Sequence, residues 1–396
     1  MNLEQIQQAL REDGLDGWLF YDFRGSNPIA YKVLSLSTRE FYSRRWFYFI
    51  PATGEPTACV SSVESHVLRT LPGKRLVFRT WQELHSYLKT LLHGRGKVAM
   101  EYSPMNAIPT ISRVDAGTIE LVRSCGVEVV SSADLSQRFV ARLTEEQVRG
   151  HREAGRRLIR AKDMLIAELG QDVRAGRALD EYAVQQRFVA LMSSLGIKLN
   201  GGEPIVAVNG NASNPHYAAS EALSAPIKRG DLLLLDFWGT LEDEEDPVFG
   251  DYTWMTFVGS EDEIPQKQRE VFEVVRQARD SAIAFIRERL AAGKRVEGRE
   301  VDDVTRRVIS NAGYGDYFVH RTGHNITTMD HGDGTNNDDY ETLDTRALLA
   351  GTCCSIEPGI YLPEFGVRSE VDLLIGENDV EVTGVPIQEK ITPLLD

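Results

Sequence analysis

The stretch "HRTGHNITTMDH", from His320 to His331, holds three of the eight histidines in a chain of 396 residues. Imidazoles serve near neutral pH as metal ligands, proton carriers and hydrogen-bond donors. A second signal surrounds them: carboxylates set inside apolar, strand-like runs. Asp236 closes "LLLLD", Asp251 follows Gly250 in "GDYTWMTF", Glu357 interrupts "CCSIEPGIYL", and Glu370 stands in "FGVRSEVDLLI". A charge in such a run is costly to bury unless it is paired or binds a metal. Taken singly, each has a plain reading. Asp236 and Asp251 are turn residues, Glu357 and Glu370 face water from edge strands, and His324 is structural. Taken together, four carboxylates and one histidine can hold two hard divalent ions side by side. Such oxygen-rich donors favour Mn-type ions over a thiolate zinc site. Two metals roughly 3.5–4 Å apart can share one water, deprotonate it near neutral pH and polarise a carbonyl.

Those donors lie in the second part of the chain. Residues 1–140 alternate short apolar runs with helical patterns. "GWLFYDF", "RRWFYFI", "TACVSS", "KRLVFR" and "KVAMEY" read as strands, while "NLEQIQQALRE" and "WQELHSYLKTLL" read as helices. This predicts an α/β domain with a mostly covered sheet. Near residue 140 the texture changes. "LTEEQVRGHREAGRRLIRAKDMLIAELG" opens with a capping-box signature, Thr144 to Gln147. It then sets Ala154, Leu158, Ala161, Leu165 and Leu169 on one helical face. A second helix and the strand-like "PIVAVNG", "DLLLLDFWG" and "YTWMTFVG" follow. The order then recurs: helices over "IPQKQREVFEVVRQARDSAIAFIRERL" and "VDDVTRRVISNAG", then the strand-like "TCCSIEPGIYL", "GVRSEVDLLIG" and "DVEVTG". Two helices then strands, twice over, predicts an internally duplicated α+β domain at 141–396 behind a domain at 1–140. The length itself asks for two domains.

A net charge of −15 argues against a nucleic-acid partner and against docking on anionic lipid. The four cysteines lack zinc-ribbon spacing and suit buried thiols in a reducing compartment. The N-terminus has no signal-peptide apolar core, and no apolar run approaches the length of a membrane span. The expectation is a cytoplasmic protein.

Asp in "LLDFWG", Asp in "GDYTWMTF", His in "TGHN", Glu in "IEPGIY" and Glu in "GVRSEVD" occur in an order similar to that of the pita-bread metallopeptidase family. This family includes aminopeptidase P, prolidase and methionine aminopeptidase. The resemblance covers about residues 145–396, and residues 1–140 resemble the creatinase-type N-domain of aminopeptidase P and prolidase. It implies an α/β creatinase-type domain followed by an α+β pita-bread domain with pseudo-two-fold duplication. It assigns five metal ligands: Asp236, Asp251, His324, Glu357 and Glu370, with Asp251 and Glu370 bridging. Glu357 matches the proton shuttle. His331 matches a donor to the scissile carbonyl or the oxyanion. His320 matches a residue near the position after the cleaved bond, and His216 in "NPHYAA" matches a further substrate-side histidine. Arg368 matches an arginine that braces the carboxylates by charge-assisted hydrogen bonds. Two divalent ions per subunit are implied, Mn²⁺ first, with Co²⁺ and Zn²⁺ also compatible, as is a homodimer. The segment "FYSRRWFYF" (41–49) is either part of that dimer contact or a core strand.

The sequence departs from the family pattern in places. Asn325 and Thr327 replace glycines and Gly332 replaces a glutamate, which implies a stiffer loop and a reshaped specificity pocket. Trp254 stands where an arginine is usual and is expected to add apolar wall. The two aspartates are 15 positions apart, a wider spacing than usual, with the acidic "EDEED" absorbed in a longer hairpin turn. The function implied is cleavage of the bond before proline in a short peptide, by an Xaa-Pro dipeptidase. The compact chain and short N-terminal domain favour that over an Xaa-Pro aminopeptidase acting on longer peptides. A methionine aminopeptidase does not need a 140-residue N-terminal domain. A competing class is a metal-free creatinase-like hydrolase or a binding protein on the same fold.

Overall fold

Alternating large apolar residues in the first 140 positions feed two cores at once. In the computed structural model, which describes residues 1–37 and 42–395, the chain divides into two units, Met1–Val140 and Ala141–Asp396. The first holds a six-stranded mixed sheet in the order Lys74–Phe78, Thr57–Ser61, Trp46–Pro51, Gly17–Asp22, Lys97–Met100, Glu128–Ser131. Along the strand Gly17–Asp22 every residue is buried. Trp18 and Phe20 enter one core while Leu19 and Tyr21 enter the other. A strand buried on both faces needs helices on both, and Leu3–Glu12 and Trp81–Leu92 serve opposite sides. Within 41–49, residues 46–49 lie in the buried strand Trp46–Pro51; Phe41 is outside the described residues.

In the second unit the capping box of Thr144 and Gln147 starts the helix Glu145–Arg174. Its apolar face and the helix Glu181–Ser194 pack on one side of a sheet that includes Ile205–Val208, Leu232–Leu241 and Gly250–Phe257. Leu233, Leu235, Phe237, Tyr252 and Trp254 point that way. The other side buries Leu232, Leu234, Met255 and Phe257 with the helix Gln266–Ala291 and the two-stranded ribbon Gly359–Leu362 and Phe365–Arg368. The helix Gly298–Asn311 follows, then a sheet ordered Asn325–Ile326, Cys353–Ile356, Val371–Ile375, Val380–Thr383. Two helices and a sheet thus occur twice. Among the described residues no helix is long and apolar enough to cross a membrane.

The structure differs from the sequence reading where the glutamates sit. "TCCSIEPGIYL" and "GVRSEVDLLIG" each form two strands, not one. Glu357 falls between Cys353–Ile356 and Gly359–Leu362, and Glu370 between Phe365–Arg368 and Val371–Ile375. Pro358 has no N–H for a ladder, so the chain leaves one sheet there for the ribbon, and returns at Ser369-Glu370. Each carboxylate sits in a break, free of strand parity and able to turn towards the hairpin aspartates.

Candidate metal centre

The hairpin of Leu232–Leu241 and Gly250–Phe257 pairs Asp236 with Thr253 and Trp238 with Asp251. Directly paired residues of an antiparallel ladder share a face. Both aspartates and Thr253 therefore point away from the helix Glu145–Arg174. Residues 242–249, with the acidic run, form the connecting loop. The backbone N–H of Asp251 donates to Asp372 Oδ2 at 2.9 Å. His324 stands just before the short strand Asn325–Ile326, and its N–H donates to Ser355 Oγ at 2.9 Å. Ser355 Oγ in turn donates to Glu357 Oε1 at 3.2 Å. The helix Gly298–Asn311 anchors the approach. Asp302 accepts from the N–H and Oγ1 of Thr322 at 2.9 and 2.6 Å, and Arg306 donates to the carbonyls of Phe318 and His320. No side chain fits at Gly323, where a Cβ would overlap the Ser355 carbonyl.

The five expected donors converge. Asp236, Asp251 and Glu370 place ligand atoms within 4.8 Å of one another, as do His324, Glu357 and Glu370. His324 Nε2 lies 3.5 Å from both Asp251 Oδ2 and Glu357 Oε1, longer than a good hydrogen bond. Arg368 donates to Asp236 and, at 2.9 Å, to Thr253 Oγ1, which donates to Glu370 Oε2 at 2.7 Å. Arg368 is thus the brace on the carboxylates. Asp251 is 6% exposed, and its Oδ1 has no hydrogen-bond partner. A buried carboxylate oxygen without a donor is costly and points to a cation. Oxygen donors around one imidazole suit a first-row divalent ion, so the residues fit a metal pair.

The electrostatics agree. Burial first, then the neighbouring Glu370, raises Asp251 well above the ordinary carboxylate range. Burial, then Glu357 and Asp236, does the same to Glu370. Burial lifts Glu357 to about 7 against the pull of Arg368 and Arg321. Burial, then the neighbouring His331 and Arg321, holds His324 well below its usual value, which leaves its ring neutral and able to ligate. Without a cation the carboxylates repel; with one they are its counter-charges.

The centre opens into a cavity of about 1080 Å³ that His216, His320, Arg321 and His331 also line. His320 Nδ1 is 2.7 Å from the Arg321 carbonyl and must donate to it. Its Nε2, 2.6 Å from Tyr361 Oη, therefore accepts. Tyr361 in turn receives a hydrogen bond from Arg368 Nη1 at 3.2 Å. His320 lines the cavity, but both its nitrogens are engaged. His331 differs. Its Nδ1 is 3.4 Å from the Arg321 guanidinium, which can only donate, so the hydrogen of the neutral ring sits on Nε2. Its ring centroid is 4.1 Å from that of His324. Surrounding protein and then Arg321 lower its pKa, tempered by a side chain that is 59% exposed. His216 is exposed on a loop, its N–H held by Asn214 Oδ1 at 3.1 Å.

Two expectations require correction. Trp254 is no wall of the site. It pairs with Leu235, one position off the parity of Asp236, so its ring faces the helix side beneath Lys162 Nζ at 3.5 Å. Asn325, Thr327 and Gly332 do not line the cavity; they act on it only through the loop that carries Asp330 and His331. Asn325 turns into the loop, donating to the Cys353 carbonyl and accepting from Gly334 N–H, both at 2.8 Å. Residues not singled out from sequence also converge on the site: Arg321 and Asp330 within the histidine stretch, and Thr253 and Tyr361 within the ligand strands. The signal for the first two was charge beside a suspected ligand; for Thr253 it was strand parity with Asp251, and Tyr361 carried none.

A curated Xaa-Pro dipeptidase of Pyrococcus furiosus is 35% identical over 200 residues, 49% of this chain and 52% of the relative, so the match spans about half of that protein. A Lactobacillus delbrueckii Xaa-Pro dipeptidase is 27% identical over 383 residues, 93% of each. The crystal structure of dipeptidase PepE from Mycobacterium ulcerans has the same fold, with a TM-score of 0.65 at 20% identity over 99% of this chain and 96% of that one. The family model for metallopeptidase family M24 matches residues 149–377, more than half of the chain and all five converging donors. The chain belongs to metallopeptidase family M24.

Proposed function

We propose that the protein is a metal-dependent Xaa-Pro dipeptidase, hydrolysing the bond before a C-terminal proline. The observation that carries this is the convergence of Asp236, Asp251, His324, Glu357 and Glu370 in a cavity also lined by His216, His320 and His331. The relatives named Xaa-Pro dipeptidase support the substrate class. Asp236, Asp251, His324, Glu357 and Glu370 would hold two divalent ions, which would supply Lewis acidity for water activation and carbonyl polarisation. The hard donor set favours Mn²⁺. Glu357 takes the proton of the attacking water and returns it to the leaving proline nitrogen, as a carboxylate lining the cavity beside the site of attack can do without a long relay. His331 Nε2–H donates to the oxyanion. Arg368 fixes Asp236 and, through Tyr361, the ring of His320. Because Arg368 is committed to Asp236, Arg321 is the cavity cation offered to the carboxylate of a dipeptide. His216 closes the substrate side.

We further propose a cytoplasmic homodimer in which the unit Met1–Val140 is a creatinase-type domain bordering the partner's cavity. Light scattering should give twice the chain mass of 44.3 kDa. The decisive assay for activity offers Ala-Pro and Ala-Pro-Ala to the Mn²⁺-loaded protein. Rapid cleavage of Ala-Pro is expected, and rapid cleavage of the tripeptide alone would make the protein an Xaa-Pro aminopeptidase. Fewer than one bound divalent ion per chain after saturation would move it to the metal-free class.

A further inference from the structure

Asp330 has no part in the five-donor reading, yet it reaches the same centre. The turn after Asn325–Ile326 is tight: Thr327 N–H donates to the Met329 carbonyl at 3.0 Å and Gly332 N–H to the Asn325 carbonyl at 2.7 Å. That closure returns the chain to the face of His324. A carboxylate oxygen of Asp330, a ring nitrogen of His324 and a carboxylate oxygen of Asp251 all lie within 4.8 Å of one another. Two of these residues carry orphaned atoms. Asp330 Oδ1 and Asp251 Oδ1 are both buried with no hydrogen-bond partner, although Asp251 is 6% exposed. The other oxygen of Asp330 stands 3.8 Å from His331 Nε2, beyond hydrogen-bond length.

Two neighbouring carboxyl groups, each with a buried, unpartnered oxygen and one of them half-buried, share either a proton or a cation. The third corner decides between these. His324 contributes a nitrogen lying between carboxylates, and one imidazole with two carboxylates is a divalent-metal donor set. We propose that Asp330 is a sixth metal ligand, its carboxylate joining Asp251 and His324 on the cation that the imidazole holds. The inference rests on the two-metal reading and extends it: the ion at His324 meets an extra hard donor, so it is held more tightly than Asp251, His324, Glu357 and Glu370 alone would hold it. Nothing in the five-ligand motif calls for a carboxylate at this position.

The test uses the full-length protein stripped with chelator and titrated with Mn²⁺ by calorimetry, with bound metal counted by mass spectrometry. Wild type should take up two ions. Asp330→Ala should weaken one of them at least about tenfold, since even partners outside the ligand set cost 10–100-fold when removed. The other ion should be little changed, and His331→Ala should keep both. Co²⁺-loaded Asp330→Ala should show an altered visible d–d spectrum, because the ligand number at one ion changes. Equal melting of wild type and variant in chelator confirms that the fold is intact. Unchanged affinities and an unchanged Co²⁺ spectrum would overturn the proposal while leaving the two-metal reading in place. Equal weakening of both ions would also overturn it, as a collapse of the loop. A wild-type protein that binds no ion would overturn both.

Discussion

His331 and Asp251 illustrate two separable roles around one centre. Asp251 places oxygens in the group with Asp236 and Glu370 and in the group with His324, and it has an unsatisfied Oδ1. Asp251→Ala and Glu370→Ala should abolish turnover and lose metal together. His331 contributes a single N–H to the cavity, held in that tautomer by Arg321. His331→Ala should lower kcat about 10²–10³-fold, the loss found when one oxyanion donor is removed, with metal still bound. His216→Ala should also lower activity with metal retained. Metal analysis beside kinetics checks these variants, and equal metal loss in all four would mean the shells are misassigned. Arg321→Ala should raise KM for Ala-Pro more than it lowers kcat if the guanidinium receives the substrate carboxylate.

The loop from His324 to Gly334 shows how three departures from the family pattern form one change. Asn325 and Thr327 are buried, and a Cβ on Gly332 would overlap Asn325 Oδ1 and stand 3.0 Å from Thr327 Oγ1. The two larger residues occupy the space that a side chain at 332 would need. Gly332→Ala should therefore destabilise the protein by about 1–3 kcal/mol, the range for overpacking a filled site. The cost should shrink in an Asn325→Gly background, giving a coupling of at least about 0.5 kcal/mol in a double-mutant cycle. Additive effects by chemical denaturation would contradict this packing account. The strand breaks at Glu357-Pro358 and Ser369-Glu370 are the other device at this scale. Arg279 reinforces the second of them by donating to Ser369 Oγ at 2.7 Å and to the Gln388 carbonyl at 2.8 Å.

For the whole molecule, the metal-free chain should be squeezed from both sides of neutrality. Glu357, raised to about 7, stabilises the fold while protonated. That contribution is complete below its unfolded value of about 4.3 and is lost as pH rises through about 7. His320 and His151 are held by burial to about 3 and about 4. Their contribution is present above the unfolded value of about 6.5 and is lost as pH falls below it. The chelated protein should lose stability on both flanks, as pH falls below about 6.5 and as it rises through about 7. Added Mn²⁺ should raise the melting temperature little at pH 5 and strongly at pH 8, because ligation needs ionised carboxylates. Calorimetric melts with and without chelator across that range check it; a Mn²⁺ effect that shrinks as pH rises would contradict the assignment.

The sequence by itself determined most of the elements and marked five candidate donors among them. Capping residues Thr144 and Gln147, the apolar face from Ala154 to Leu169 and the repeated helix-helix-strand order are local patterns. Local patterns survive without knowledge of distant partners. The five candidate donors were legible because charge inside an apolar run is costly and their order matched a known motif. Only the tertiary structure decided which side of a sheet each residue faces. Trp254 was misplaced by one step of strand parity. Glu357 and Glu370 were read inside strands because a break between two sheets leaves the apolar composition intact on both sides. Asp330, Arg321, Thr253 and Tyr361 gain their meaning from partners up to 117 positions away, such as Thr253 with Glu370. Such convergence is set by how sheets and loops pack, which spacing along one chain does not encode.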